Sequence, residues 1–477
     1  MRPPNRFRVD VRDEPRTDET NADVAHRNSS RTAHSPCQTH PTTDYNTTLH
    51  AFPLFNPKSK IQNPRFPMSS PALHPQAKVA FVLAGLYNAA EALCQVFVSV
   101  YFWRNSHDLM VLCWYYLALY AVTPVMFVVC GWYSKVRDRL HVYRLGIALH
   151  IVYYSTLLFL REESVHYTLP LGVLLGVTWG AFWAGANTIN YDVTTSGRRE
   201  YFIGVMNAIS HFARLVAPLV SGFIITRTSD RLFGYHIVFA VVLVLYALSF
   251  LASFLLERDP QRTPFRIGRA LFPPKEHRDW RNVMWASFTL AGTFEIPTNF
   301  LGILMFMETK NELSVGSYSA YQAIIAIVVS YVCGWWVRPE TRRQHLFWSS
   351  VLLAASGIVF FFPLTITSLL IFAMLRSAAM AMFGIGHFST RMEVIMNTAE
   401  DPLQRIEYLC AWEVPLAVGR TIMMLLMVAL ALALDDASLG IRIVIIALCV
   451  LRLATYYFLA QTSVLRSPPA NTYPSSR

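Results

Sequence analysis

The chain has 477 residues, of which 54% are hydrophobic and only 15% charged. Soluble domains carry about a quarter charged residues, so this balance excludes a soluble enzyme and indicates an integral membrane protein. The formal net charge of +11 would suit nucleic acid, but Lys and Arg collect in the polar N-terminal stretch and in short loops between apolar runs, as the positive-inside bias requires. No basic groove-reading module is present, and no nucleic-acid partner is expected. Cys37 apart, the cysteines (Cys94, Cys113, Cys130, Cys333, Cys410 and Cys449) lie in or at the edge of apolar runs without a C-x-x-C pair. They read as small packing residues rather than disulfides or metal ligands, and no metal or other cofactor is expected.

Residues 1–77 are rich in Arg, Asp, Thr, Asn, Ser, Pro and His and lack the apolar periodicity a folded segment needs, which predicts a disordered polar tail. No charged-then-apolar signal opens the chain. Met68 stands just before the first apolar run and offers an alternative start, so residues 1–67 read either as a cytoplasmic tail or as a product of start-site choice. From Lys78 onward, apolar stretches of about 17 to 25 residues follow one another, the length a helix needs to cross the hydrocarbon layer. About twelve are expected, at 79–101, 109–131, 145–160, 168–190, 201–225, 236–256, 283–306, 318–337, 346–362, 366–387, 406–432 and 441–461; barrel strands would be shorter and strictly alternating. The expected class is therefore an all-α integral membrane protein. The basic loops 132–144, 191–200, 257–282, 338–345 and 388–405 are expected at the cytoplasmic face of the cell's inner membrane, with both termini. The longest, 257–282, carries the Pro273-Pro274 pair and separates a bundle at 78–256 from one at 283–465, with a cytoplasmic tail at 466–477.

The two halves repeat the same local wording in the same order. Gly131-Trp132-Tyr133-Ser134-Lys135 is echoed by Gly334-Trp335-Trp336-Val337-Arg338, and Arg198-Arg199-Glu200-Tyr201 by Arg405-Ile406-Glu407-Tyr408. Each R-x-E-Y opens an apolar run with an arginine further on, Arg214 and Arg420, and each half carries an acid followed by valine, Asp192-Val193 and Glu393-Val394. Two parallel six-helix pseudo-repeats, both ends inside, a long basic central loop and a glycine-led basic loop repeated in each half together resemble the major facilitator superfamily of secondary transporters, over residues 78–465. In that family the first such loop reads G-x-x-x-[DE]-R-x-G-[RK]-[RK]; here Gly131 leads, Lys135 stands where an acid is usual, and Asp138-Arg139 comes three positions late. The second R-x-E-Y with Glu413 and Gly419-Arg420, and the phrase Phe182-Trp183-x-x-x-Asn187, look like a poorly characterised bacterial branch. The resemblance implies the fold and alternating access, and names no substrate.

Charged groups inside a spanning helix cost about 2.5–3.5 kcal/mol each on insertion scales, so those retained face a cavity or a partner. They are Glu91, Arg214, Glu295, Arg376, Glu413 and Arg420. Helical spacing groups Asn88, Glu91 and Gln95 on the first run, Asn207, His211 and Arg214 on the fifth, closed by Pro218, and Glu413 with Arg420 on the eleventh. These faces are expected to form a wet central cavity for a small-molecule substrate and for protons; the plainer alternative is structural ion pairs clamping helices together. The resemblance implies that runs 1, 4, 7 and 10, with 5 and 11, line that cavity. Glu295 precedes Pro297, which predicts a local break in the seventh run. Glu91 or Glu295 is the expected proton carrier; His211 is a lesser candidate, and His150 and His387 read as packing residues.

Gly172, Gly176 and Gly180 in the fourth run, and Arg376 to Ala379 with Gly384 and Gly386 in the tenth, read as helix-packing surfaces. The loop charges Asp138, Arg139, Asp192, Arg198, Arg199, Glu200, Glu393, Arg405 and Glu407 read either as an inner gate of ion pairs or as ordinary positive-inside loops. No Walker A sequence, H-E-x-x-H or G-x-S-x-G is present, so the leading expectation is a secondary active transporter and not an enzyme. A lipid flippase of the same fold and a non-transporting sensor are the alternatives. Oligomeric state is not legible.

Overall fold

The computed structural model describes residues 75–192, 199–257, 263–337, 340–401 and 404–466, and among these no strand occurs. The expected disordered tail lies outside the described residues except for 75–77, which open the first helix, and so does the tail from 467 onward. The first half of the chain forms α1 (Pro75–Ser106), α2 (Leu109–Val136), α3 (Arg139–Leu160), α4 (Thr168–Asp192), α5 (Arg199–Arg227) and α6 (Arg231–Ala252). A single turn, α7 (Gly268–Leu271), lies in the connection. The second half forms α8 (Arg278–Leu290), α9 (Glu295–Thr309), α10 (Glu312–Trp336), α11 (Arg342–Ser356), α12 (Ile366–Thr398), α13 (Arg405–Ala433), α14 (Ala437–Ala460) and the terminal turn α15 (Ser463–Arg466).

Local chemistry sets where these helices begin. Asp108, Asp138, Asp230, Asn311 and Asp436 each stand just before a helix and accept a hydrogen bond from the backbone N–H two residues on, which satisfies one of the donors that a helix start leaves free. Thr365 and Ser368 form a reciprocal capping box at the start of α12. Helices run past the apolar stretches that announced them. α2 continues to Val136 and α3 starts at Arg139, so the loop expected at 132–144 shrinks to Arg137 and Asp138, and most of the loop expected at 388–405 is the end of α12. Apolarity marks what sits in hydrocarbon, whereas a helix continues into polar sequence until a cap or a breaker stops it.

Eleven described segments are long and apolar enough to cross a membrane. One of them, Arg139–Asn187, is 49 residues long, or roughly 70 Å at the helical rise, more than twice the hydrocarbon thickness. It folds back on itself. Gly146 of α3 lies against the backbone of Phe182 and Gly185 of α4 against that of Tyr143, an antiparallel register. The run expected at 283–306 is not one helix. Ala291 (φ 45°) and Gly292 (φ 75°) leave the right-handed region, and Pro297 has no N–H for the carbonyl of Thr293, so α8 ends and α9 starts afresh.

In lipid, close approach of backbones and polar contacts hold helices together more than hydrophobicity does. The glycine row of α4 behaves as expected: a Cβ on Gly176 would lie 2.9 Å from the carbonyl oxygen of Leu119 and one on Gly180 2.8 Å from that of Thr123, so α4 rests directly on α2. The row in α12 is mixed, because Gly386 packs on Leu346 while Gly384 faces open space. Across the halves, α2 packs along α13, α5 along α10 and α1 against α9. One continuous apolar core runs from Leu83 to Cys449 through both halves.

Candidate functional site

The break in the seventh apolar run organises the centre of the molecule. Glu295 is the first residue of α9, where the positive end of the helix favours a carboxylate. Arg420 on α13 donates from Nη2 to Glu295 at 2.6 Å and from Nη1 to Glu413, two turns earlier on the same helix, at 2.6 Å. Gly292 lies where a Cβ would come within 2.8 Å of the Arg420 Cγ. Arg376 on α12 supplies the donors that the break leaves wanting. Its Nη2 donates to the carbonyl oxygens of Thr293 (3.3 Å) and Phe294 (3.0 Å) and to Thr298 Oγ1 (3.2 Å), while Nη1 donates to Gln322 Oε1 on α10 (3.2 Å).

A fourth central arginine escaped the sequence reading. Arg452 on α14 is fully buried. Its Nη2 donates to Met380 Sδ at 3.0 Å, its guanidinium lies 4.1 Å from the Phe383 ring centroid, and its Nε and Nη1 have no hydrogen-bond partner. Arg452 interrupts the last apolar run in the way that Arg214 interrupts the fifth, so the rule that selected the other arginines would have selected it too.

In the first half, Glu91 accepts a hydrogen bond from the Tyr246 hydroxyl of α6 at 3.1 Å, and the Tyr246 ring stacks on His150 at 4.5 Å. Buried hydroxyls surround it: Tyr115 with Tyr153 (2.5 Å), Ser99 with Tyr116 (2.5 Å) and Cys94 with Tyr154. His150 donates from Nδ1 to the Gly146 carbonyl oxygen, and His387 is buried beside Phe383 and Trp412. The stripe expected on α1 divides. Asn88 turns to α5, accepting from Ser210 Oγ at 2.5 Å, whereas Glu91 turns to α6; Gln95 has no hydrogen-bond partner among the described residues. On α5, Asn207 and Arg214 are exposed and His211 is half-buried. Arg214 lies within electrostatic reach of Glu91 and of Glu295, and the Ser210–Asn88 and Ser221–Leu93 hydrogen bonds set its stretch of α5 alongside that of Glu91 on α1.

Ion pairs tie the halves at both ends of the helices. At one end Glu312, the fully buried first residue of α10, accepts from Arg104 Nη1 of α1 at 2.5 Å, from Arg231 Nη1 of α6 at 3.4 Å and from the Tyr235 hydroxyl at 3.5 Å. Thr226 of α5 joins them, taking the Leu313 N–H at 3.1 Å. Nothing in the sequence reading singled out Glu312, because it falls between two apolar runs and its burial comes from distant helices. At the other end the Lys135 ammonium donates to Glu407, both buried, and the Arg266 N–H reaches the same carboxylate oxygen at 3.2 Å.

The expected inner gate is therefore rearranged. Glu407 belongs to a pair between halves, but its partner is Lys135, the residue that departs from the family loop pattern. Asp138 caps α3 and lies 3.7 Å from His141, and Arg139 is buried beside it in the first turn. Glu393 pairs with Arg342 at 2.8 Å inside the second half, and Arg405 leaves Nε without a partner. Arg198 lies outside the described residues, and the side chains of Asp192, Arg199 and Glu200 are likewise outside the description. No group of three or more metal-ligating side chains occurs among the described residues.

Comparison with known proteins gives this arrangement a family. The model of the Major Facilitator Superfamily matches residues 61–402. The uncharacterised protein YqgE of Bacillus subtilis is 26% identical over 376 residues, covering 79% of this chain and 87% of that protein. Among solved structures, the nucleoside transporter NupG superposes with a TM-score of 0.62 at 12% identity, over 81% of this chain and 99% of NupG. The Escherichia coli fucose:proton symporter FucP superposes with a TM-score of 0.56 at 14% identity, over 81% of this chain and 98% of FucP. With a family model that spans most of its length and membrane-length helices in that superfamily's fold, the chain belongs to the Major Facilitator Superfamily and is a multi-pass membrane protein of its transporter class.

Proposed function

We propose that this protein is a proton-coupled secondary active transporter that moves a small polar solute across the inner membrane by alternating access. The observation that carries the proposal is the convergence at mid-depth of Glu91 and Arg214 from one half with Glu295, Arg376, Glu413 and Arg420 from the other, around a helix break. Charges this deep are expensive unless they serve a pathway, and broken helices at the seam of two halves are where such carriers bind their cargo. The halves 78–256 and 283–465 rock about this site, with the connector 257–282 and both termini at the cytoplasmic face. The Lys135–Glu407 end is then the inner end and the Glu312 end the outer one. Similarity in fold to a sugar:proton symporter agrees with proton coupling.

Glu91 is the proton carrier in this reading. Glu295 and Glu413 already share Arg420, whereas Glu91 has only a neutral hydroxyl in direct contact. Solid-supported-membrane currents from proteoliposomes, recorded over a broad panel of polar metabolites with and without a pH gradient, test the proposal. Glu91→Gln should abolish the pH-driven component and leave solute-for-solute exchange. Absence of any solute-evoked current or exchange from folded protein would sink the transport reading.

A further inference from the structure

Leaving aside the small residues Gly204 and Ala208, the exposed side chains of α5 fall on two faces. Phe212, Val220 and Phe223 are exposed (67%, 42% and 52%) and cluster on one stripe, the lipid side. At about 100° per residue, Asn207 and Arg214 lie roughly 120–180° around the helix from that stripe, and half-buried His211 flanks them on the same side. A polar exposed face opposite a lipid face means a water-accessible space inside the bundle. Arg214 projects into it from among the charges of both halves.

The four central arginines differ in one respect. Arg420 holds two carboxylates, Arg376 four oxygen acceptors, and Arg452 a thioether and an aromatic face. Arg214 has no hydrogen bond or ion pair among the described residues, and it is exposed half-way along α5. A guanidinium offers donors in a fork that matches a carboxylate or phosphate. Resting on the transport reading above, we infer that the solute is a small anion whose carboxylate or phosphate is taken by Arg214, and that Glu91 and this anion are alternative counter-ions of Arg214.

The coupling follows from charge balance. Ionised Glu91 neutralises Arg214 and repels an incoming anion; a proton on the Glu91 carboxylate leaves the guanidinium free for it. Proton and anion then bind together and cross together, with no net charge added to the site. The groups that face Glu91 fit such an exchange: Tyr246 of α6 in contact, Tyr87 and Cys94 of α1, Tyr116 of α2, Tyr153 and Tyr154 of α3, all neutral, and Arg214 of α5 as the one cation among the described residues. Glu295 of α9 reaches Arg214 from the other side but is held by Arg420.

The test is ligand-induced thermal stabilisation of the full chain in detergent, paired with proteoliposome currents. Its panel sets small carboxylates and phosphate esters against neutral and cationic molecules of the same carbon skeleton, at pH 5.5 and 7.5. The expected result is stabilisation by an anionic member, at least about tenfold tighter at the lower pH, unchanged with pH in Glu91→Gln, lost in Arg214→Gln and partly kept in Arg214→Lys. The unliganded melting temperatures of the variants show that they fold. Stabilisation by neutral or cationic members alone, or by an anion equally in Arg214→Gln, overturns the inference and leaves the transport reading standing. Anion binding without flux keeps the site and overturns transport, and silence throughout rejects both.

Discussion

Glu312 is the residue whose replacement should move the conformational equilibrium most cleanly. Its carboxylate is fully buried between Arg104 and Arg231, and both arginines belong to the first half whereas Glu312 belongs to the second. Removing one member of a buried pair costs about 3–5 kcal/mol. The arginine side chains keep 30% and 37% exposure, so water recovers part of their solvation, and the cost to this state falls to roughly 1.5–3 kcal/mol. A state in which this end is open has already broken the pairs and loses nothing. Glu312→Gln should therefore raise the ratio of open to closed at this end by about 10- to 100-fold, at 1.4 kcal/mol per decade. Spin labels at the exposed positions Glu163 and Lys310, in a background without reactive cysteines, report that ratio as the weight of the long component in a pulsed-dipolar distance distribution. A distribution in the folded variant identical to that of the parent would refute the reasoning.

At the opposite end both members of Lys135–Glu407 are buried. Lys135→Ala or Glu407→Ala should each cost about 3–5 kcal/mol, seen as a lower melting temperature by fluorescence size-exclusion, and Lys135→Glu combined with Glu407→Lys should recover a substantial part. Arg376→Leu strands the carbonyls of Thr293 and Phe294, at about 1–3 kcal/mol for each buried group; it should lower the melting temperature and stop transport, with Arg376→Lys intermediate in stability. Arg452→Met removes a buried guanidinium that has two unpaired nitrogens, so the melting temperature should hold or rise, and a fall as large as that of Arg376→Leu would show that the charge is needed. A Cβ on Gly222 would lie 2.7 Å from the Glu312 carbonyl oxygen. Gly222→Leu should accordingly wedge α5 from α10 and shift the spin-label distances in the same direction as Glu312→Gln, while Gly268→Ala, where a Cβ meets open space, leaves them unchanged.

The contrast among the charged residues shows how far reading the chain can go. Glu413 and Arg420 were legible as partners because they share one helix at two-turn spacing, and that pairing needs only local geometry. The weakness at Glu295 to Pro297 was legible for the same reason, although the break itself falls earlier, at Ala291 and Gly292, where positive φ is a property no apolarity pattern encodes. The partners of Lys135, Glu312 and Arg376 are not legible in the sequence. Each takes its partners from helices 50 or more residues away, and helix rotation and crossing decide which side chains meet.

Composition, the lengths of the apolar runs, the basic loops and the repeated phrases by themselves determined a multi-pass helical membrane protein of two like halves, because crossing hydrocarbon is a constraint on local sequence. Which charges neutralise one another, that Arg214 alone among the four central arginines is left exposed, and where the halves are clasped were decided only by the tertiary structure. Electrostatic energy depends on separations of a few ångströms between groups far apart in the chain, and only the packed helices set those distances.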